Sequence, residues 1–186
     1  MGARAERGRP ERSVSLIAAL AREHEALRGL VRRIDAALVS ADDEARARVR
    51  ADLLVLLEAL RAHEEIETEA FSGAVGAGDG TPSEAAAELE REHAEVAVLR
   101  EEVRAILEEG VDAAWPELSA RSLALCRRLL EHFESEETRL WPREAHSVGR
   151  TRERSLSRSV ERRVRALSRE IERGRIEAAD YLTRRR

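Results

Sequence analysis

Apolar residues recur at helical spacing in five stretches of this chain. In the first, Ile17, Leu20, Leu27, Val31, Ile34 and Leu38 follow steps of three and four, with one gap at position 24 that His24 fills. Ser13 or Ser15 is placed to start this helix. Asp42 and Asp43 are good caps for a second, which runs through Leu53, Leu56, Leu57 and Leu60 and ends near Phe71. Residues 72–82 are rich in Gly and predict a loop. Thr81 followed by Pro82 reads as a cap with proline at the first helical position. The third helix then carries Leu89, Val96, Leu99, Val103 and Ile106, and Gly110 ends it. A fourth begins between Asp112 and Pro116 and carries Leu125, Leu129, Leu130, Phe133 and Leu140, with Pro142 after it. A fifth covers Ser155 to Arg173, with Val160, Val164, Leu167 and Ile171 on one stripe. Short connections between long helices predict antiparallel neighbours. The expected fold is all-α: an up-down-up-down four-helix bundle over residues 13–142, a flexible N-terminus over 1–12, and a basic helical extension over 143–186.

Composition agrees with helix, because Ala, Leu, Glu and Arg dominate and aromatics are only 3%, which argues against a β-sandwich or barrel. A single Cys, Cys126, excludes a disulfide framework and a Cys-rich zinc site. No apolar run approaches the roughly 18 residues of a membrane span. Met1 to Arg12 is basic without an apolar region behind it, and Glu6 stands where myristoylation needs Ser or Thr. The expected localisation is therefore cytoplasmic, away from membranes. Charge adds an asymmetry. All 33 basic residues are Arg. Residues 13–142 hold 15 Arg and 28 acids, net −13, whereas residues 143–186 hold 14 Arg and 7 acids, net +7. An acidic body carries a basic tail. The tail has apolar spacing but no aromatic interleaving, so self-docking on the body or a protein partner is expected ahead of nucleic acid.

Histidine spacing changes the picture most. His24 to His63 is 39 residues, and so is His93 to His132. Glu67 follows His63 by four, and Glu136 follows His132 by four. Adding 69 to positions 24, 63 and 67 gives 93, 132 and 136, and Leu20-Ala-Arg-Glu-His24 matches Leu89-Glu-Arg-Glu-His93. The body reads as two copies of a helix pair. Residues four apart share a helix face, so Leu60, His63, Glu67 and Phe71 form one core-facing stripe, and Leu129, His132, Glu136 and Leu140 another. A polar pair inside a core costs on the order of several kcal/mol unless each group finds a partner. A metal removes that cost. Six ligands are too many for one zinc and suit two metals, with two His on each and both Glu bridging. A bridging oxo or hydroxo group would make five donors per metal and leave one position open. Imidazole with carboxylate suits iron, zinc, manganese or nickel, and carboxylate-bridged pairs in helix bundles favour iron, with zinc or manganese as alternatives.

On these residues the chain resembles the hemerythrin-like HHE cation-binding family over residues 13–142. The motif stands as His24, His63-Glu-Glu-Ile-Glu67, His93 and His132-Phe-Glu-Ser-Glu136, with Phe71 and Trp141-Pro142 close behind. The resemblance implies a non-haem di-iron centre that binds dioxygen, senses iron or oxygen, handles iron, or reacts with peroxide or nitric oxide. Oxygen-carrying hemerythrins have a further His where this chain has Ala97. They close with an Asp five residues after the last His, where this chain has Glu137. This chain therefore resembles a four-His, two-Glu variant, and the missing His favours peroxide breakdown, catalase-like, or sensing over simple oxygen carriage. A metal- or oxygen-responsive regulatory module without turnover is the alternative. Outside the six ligands, Glu64 and Glu137 are the acids expected to orient a ligand imidazole. Glu65 and Glu134 are expected on a solvated face, His146 on the surface, and Cys126 as a small buried hydrophobe.

Overall fold

The computed structural model describes residues 15–39, 42–71, 84–109, 115–144 and 148–183. They form helices α1 (Leu16–Leu38), α2 (Asp43–Phe71), α3 (Glu84–Glu109), α4 (Trp115–Ser135), α5 (Trp141–Glu144) and α6 (Arg150–Thr183). A π-helical turn, Glu136–Leu140, joins α4 to α5. Among the described residues there is no strand. No helix among them is long and apolar enough to cross a membrane.

Local chemistry explains several boundaries. Ser15 caps α1, its hydroxyl accepting from the Ala18 N–H at 3.2 Å. Asp42 does the same for α2, accepting from the Ala45 N–H at 2.7 Å. The predicted 72–82 loop, the Thr81–Pro82 cap, Gly110 and residues 1–12 lie outside the described residues. One expectation needs correcting. Pro142 does not follow the last helix of the body; it sits at the second position of α5. The π turn ends there with the Trp141 N–H bonded back to the Glu136 carbonyl. A new first turn therefore begins at Trp141, where a residue without an N–H is tolerated. The fifth helix also starts earlier and ends later than Ser155 to Arg173.

The helices close a ring of contacts, α1 on α2, α2 on α3, α3 on α4 and α4 on α1. Helix α6 lies along α1 and α2, with its own Leu156, Val160 and Leu167 buried. The apolar interior is divided into two clusters. One holds Leu27, Val31, Leu56, Leu60, Val96, Leu129 and Phe133 among others. The second holds Leu20, Ile66, Phe71, Leu89, Leu140, Trp141 and Val160. Along every helix of the ring the break between them falls at the same level: near residue 24 on α1, 63 on α2, 93 on α3 and 136 after α4. A polar layer fills that break. A bidentate pair, Arg33 on Asp52 with Nε to Oδ2 at 2.6 Å, ties α1 to α2 farther along.

Burial on α2 makes a direct stability prediction. Leu57 is 1% exposed and Leu54 is 55% exposed. Leu57→Ala should cost about 2–5 kcal/mol, and Leu54→Ala about 1 kcal/mol or less. Urea unfolding followed by circular dichroism checks both, and equal losses would contradict the packing described.

Candidate metal centre

Six side chains meet in the polar layer: His24 from α1, His63 and Glu67 from α2, His93 from α3, His132 from α4, and Glu136 from the π turn. All are buried except His93, whose side chain is 13% exposed. They form two groups, His24, His63, Glu67, Glu136 and Glu67, His93, His132, Glu136. Within each, one ligand-capable atom per residue lies within 4.8 Å of every other. Both groups share Glu67 and Glu136. Glu136 divides its oxygens between them: Oε2 is 3.2 Å from His24 Nε2, and Oε1 is 3.1 Å from His132 Nε2. Glu67 presents only Oε2, which lies 3.3 Å from His63 Nε2 and 3.5 Å from His93 Nε2. Its other oxygen accepts a hydrogen bond from Trp141 Nε1 at 3.2 Å.

Outside this layer, carboxylates hold the far nitrogen of three imidazoles. His24 Nδ1 donates to Glu137 Oε1 at 2.8 Å, His63 Nδ1 to Glu23 Oε2 at 3.1 Å, and His132 Nδ1 to Glu92 Oε2 at 3.0 Å. Each carboxylate is itself held by an arginine: Glu137 by Arg28 at 2.7 Å, Glu23 by Arg163 at 2.8 Å, Glu92 by Arg139 at 3.2 Å. Ser135 also donates to Glu92. Among the described residues, no carboxylate lies within ion-pair distance of His93 Nδ1. His24 is also clamped through its ring, stacked on Phe133 at 4.3 Å and on Trp141 at 4.6 Å between centroids.

These partners fix the tautomers. An imidazole that donates from Nδ1 presents a bare lone pair at Nε2 when neutral. His24 Nε2 and His63 Nε2 are 3.1 Å apart, so with both rings neutral two lone pairs would face each other there, and one proton between them makes the contact a hydrogen bond. His132 Nε2 faces a carboxylate oxygen in the same way. Among the described residues, the Nε2 atoms of His93 and His132, Glu67 Oε2 and both oxygens of Glu136 are buried without a hydrogen-bond partner. Such an arrangement needs a positive charge at its centre, supplied by protons or by metal ions. The protonation balance points the same way. Burial opposes charge on His63 and His93, yet Glu67, Glu136 and, for His63, Glu23 outweigh it. His63 is thereby held well above its usual pKa and His93 is pushed up to about 9. Burial, then Glu136, raises Glu67. Burial raises Glu136, but the imidazoles of His24, His63 and His93 around it outweigh that and hold it well below the usual carboxylate range. Glu23, Glu92 and Glu137 are also lowered, against burial, by the His, Arg and Ser groups that grip them.

All six residues singled out in the sequence come together here. Glu137 orients His24. Glu64 does not orient a ligand: it turns to Arg100 across α2 and α3. A rigid helix points only one carboxylate of the His63-Glu-Glu-Ile-Glu67 run inward, and Glu64 is on the flank. Glu65 pairs with Arg61 at the surface and Glu134 is exposed. Cys126 is buried, its thiol pushed up to about 12 by burial and then Asp35, so it remains protonated. His146 lies outside the described residues. Glu23 and Glu92 were not singled out, although each directly precedes a repeated His and they too stand 69 apart. Arg28 and Arg163 left no such signal, whereas Trp141 was marked only as an aromatic close behind the motif. Comparison with protein-family models, curated proteins and solved structures returned no match.

Metal-free protein should show a defined pH optimum. The raised His63 and His93 give stability that is full below about pH 6.5 and is lost as pH rises through the folded values, about 9 for His93. The lowered Glu23, Glu92 and Glu137 give stability present above about pH 4.5, lost as pH falls through their folded values. The melting temperature of chelator-treated protein should therefore peak between about pH 5 and 6.5 and fall on the alkaline side. A melting temperature that rises from pH 7 to 10 would contradict this balance.

Proposed function

We propose that the chain is a hemerythrin-like four-helix-bundle protein whose polar layer holds two metal ions, iron first, and reacts there with dioxygen or peroxide. The observation that carries the reading is the pair of donor groups sharing Glu67 and Glu136, with their buried inward atoms otherwise unpartnered. The ring of contacts among α1, α2, α3 and α4 supports the bundle, and α6 is an addition to it. Each group offers two imidazole nitrogens and two carboxylates, a nitrogen and oxygen set that fits iron, manganese or zinc. His24 and His63 would hold one ion, His93 and His132 the other, with Glu136 placed between through separate oxygens. Bound as a pair, iron supplies the electrons for two-electron chemistry of dioxygen or peroxide.

The chain's own residues do the rest. Glu137, Glu23 and Glu92 fix the imidazole tautomers with Nε2 free to bind. Trp141 occupies one oxygen of Glu67 and leaves the other for the centre. The apolar clusters on both sides keep bulk water from the layer. His93, the one partly exposed ligand and, among the described residues, the one without a carboxylate behind it, marks the half open to a small molecule. A second reading is a metal-responsive regulatory module without turnover. The opposed lone pairs of His24 and His63 favour it, because they make stability of the fold depend on what fills the layer.

Protein prepared anaerobically with ferrous iron should contain two irons per chain by elemental analysis. His63→Ala and Glu136→Ala should each lose at least one metal per chain, whereas His146→Ala should lose none. One iron or none in the parent protein would remove the two-metal reading. Oxygen release from peroxide by the loaded protein supports the catalytic version. A melting temperature that rises by ten degrees or more on loading, without turnover, supports the regulatory one.

A further inference from the structure

The basic tail is the large feature that the ligand motif does not use. In the folded chain it is α6, and one of its arginines reaches the polar layer. Arg163 donates from Nε to Glu23 Oε1 at 3.0 Å and from Nη2 to Glu23 Oε2 at 2.8 Å, a bidentate fork. The same Glu23 Oε2 accepts from His63 Nδ1. Glu23 is buried, its side chain only 3% exposed, and belongs to α1, while His63 belongs to α2. Three helices thus meet in a single chain of hydrogen bonds that ends on the far nitrogen of the His63 imidazole. A buried carboxylate deprived of its guanidinium would keep an uncompensated charge and lose its fixed orientation.

Packing alone does not seal α6 at this point. Beside the Arg163–Glu23 pair, an open groove of about 410 Å³ runs between α2 and α6, lined by Leu54, Val55, Ala59, Ala166 and Leu167. The neighbouring polar contact, Arg22 to Glu161 at 3.2 Å, is solvent-exposed and contributes little. At this level of α6, between the buried Val160 and Leu167, the part-buried fork is the specific polar link to the body.

We propose, on the two-metal reading above, that α6 is a positioning element of the centre. Arg163 holds Glu23, Glu23 holds the His63 imidazole, and docking of the C-terminal helix is thereby coupled to occupancy of the His24–His63 metal position. Arg163 and Glu23 are positioning residues that touch no metal. Removal of such outer partners ordinarily weakens metal binding about 10–100-fold. Linkage is reciprocal: a metal bound more tightly when α6 is docked must hold α6 more tightly in turn.

The test uses the full chain, titrated anaerobically with ferrous iron and separately with Zn²⁺ against a competing chelator, with hydrogen exchange of α6 read in parallel. Arg163→Gln should still bind two metals but hold one of them at least tenfold more weakly, while Arg169→Gln, on the exposed face of α6, should match the parent. Glu23→Gln should give the same one-site loss, and serves if Arg163→Gln does not fold. The double variant should lose no more than Glu23→Gln alone, because both act through one path. Metal should slow exchange along α6 in the parent and much less in Arg163→Gln. If parent and both single variants bind two metals alike, or if the two losses multiply in the double variant, the coupling is overturned and the two-metal reading stands. If the parent binds no metal, both fall together.

Discussion

The layer at the level of His24 is governed by one constraint: three imidazoles have their Nδ1 hydrogens committed outward to carboxylates. Glu137, Glu23 and Glu92 each take one. The Nε2 lone pairs are then forced inward, two of them to within 3.1 Å of each other and a third onto Glu136. Nothing in the surrounding apolar clusters can relieve that convergence. The arginines behind the carboxylates make it rigid, since each carboxylate that would otherwise take a proton from its imidazole is kept ionised against its burial, Glu137 by Arg28, Glu23 by Arg163, and Glu92 by Ser135 and Arg128. The charge demanded at the centre and the charge ring at the periphery are thus two ends of the same hydrogen-bond chains.

The backbone follows from where those atoms must be. His63 and Glu67 reach the layer from an ordinary α-helix, one turn apart. The second pair does not. Glu136 opens a π-helical turn, so the chain after His132 is wound more loosely and the next turn restarts at Trp141. Single π turns cost regular hydrogen bonding and recur where side chains must be aimed. Here the turn accompanies two placements: Glu136 lies between both donor groups, and the Trp141 ring stacks on His24 while its N–H takes one oxygen of Glu67. The helix pairs that match in sequence are therefore not equivalent in conformation.

Much of this was legible from residue order, and the boundary of legibility has a physical basis. Periodicity located the helices and the buried positions Leu27, Val31, Leu56, Leu60, Val96, Leu129 and Phe133, because a core stripe repeats at the helical period. The 69-residue offset located six residues that converge, because repeated helices with the same polar interruption bring those interruptions to one level. What periodicity does not encode is rotation about the helix axis at single positions. Glu64 and Glu137 both adjoin or nearly adjoin a ligand, yet one faces Arg100 and the other His24. The π turn is likewise a local choice that no period announces. Arg163 was hidden for a different reason: its partner is 140 positions away, on a helix whose register against α1 depends on packing rather than on a repeat.

The repeat also explains why the two halves of the layer differ. Its copies agree on the inner donors and on the acids Glu23 and Glu92, which hold the His of the opposite helix in each pair. They disagree at one outer position. Glu137 supports His24, and the residue 69 positions earlier is Thr68, which is exposed and carries no charge. Among the described residues no carboxylate stands behind His93, and it is the imidazole of the layer that sees solvent. Support and access are therefore opposed by construction. The His24–His63 half is braced by two carboxylates and by the α6 arginine, and is closed by stacked Phe133 and Trp141. The His93–His132 half has one carboxylate and an opening. If the layer holds two metals as proposed, the His24–His63 position is the more tightly braced of the two and the His93–His132 position the less constrained.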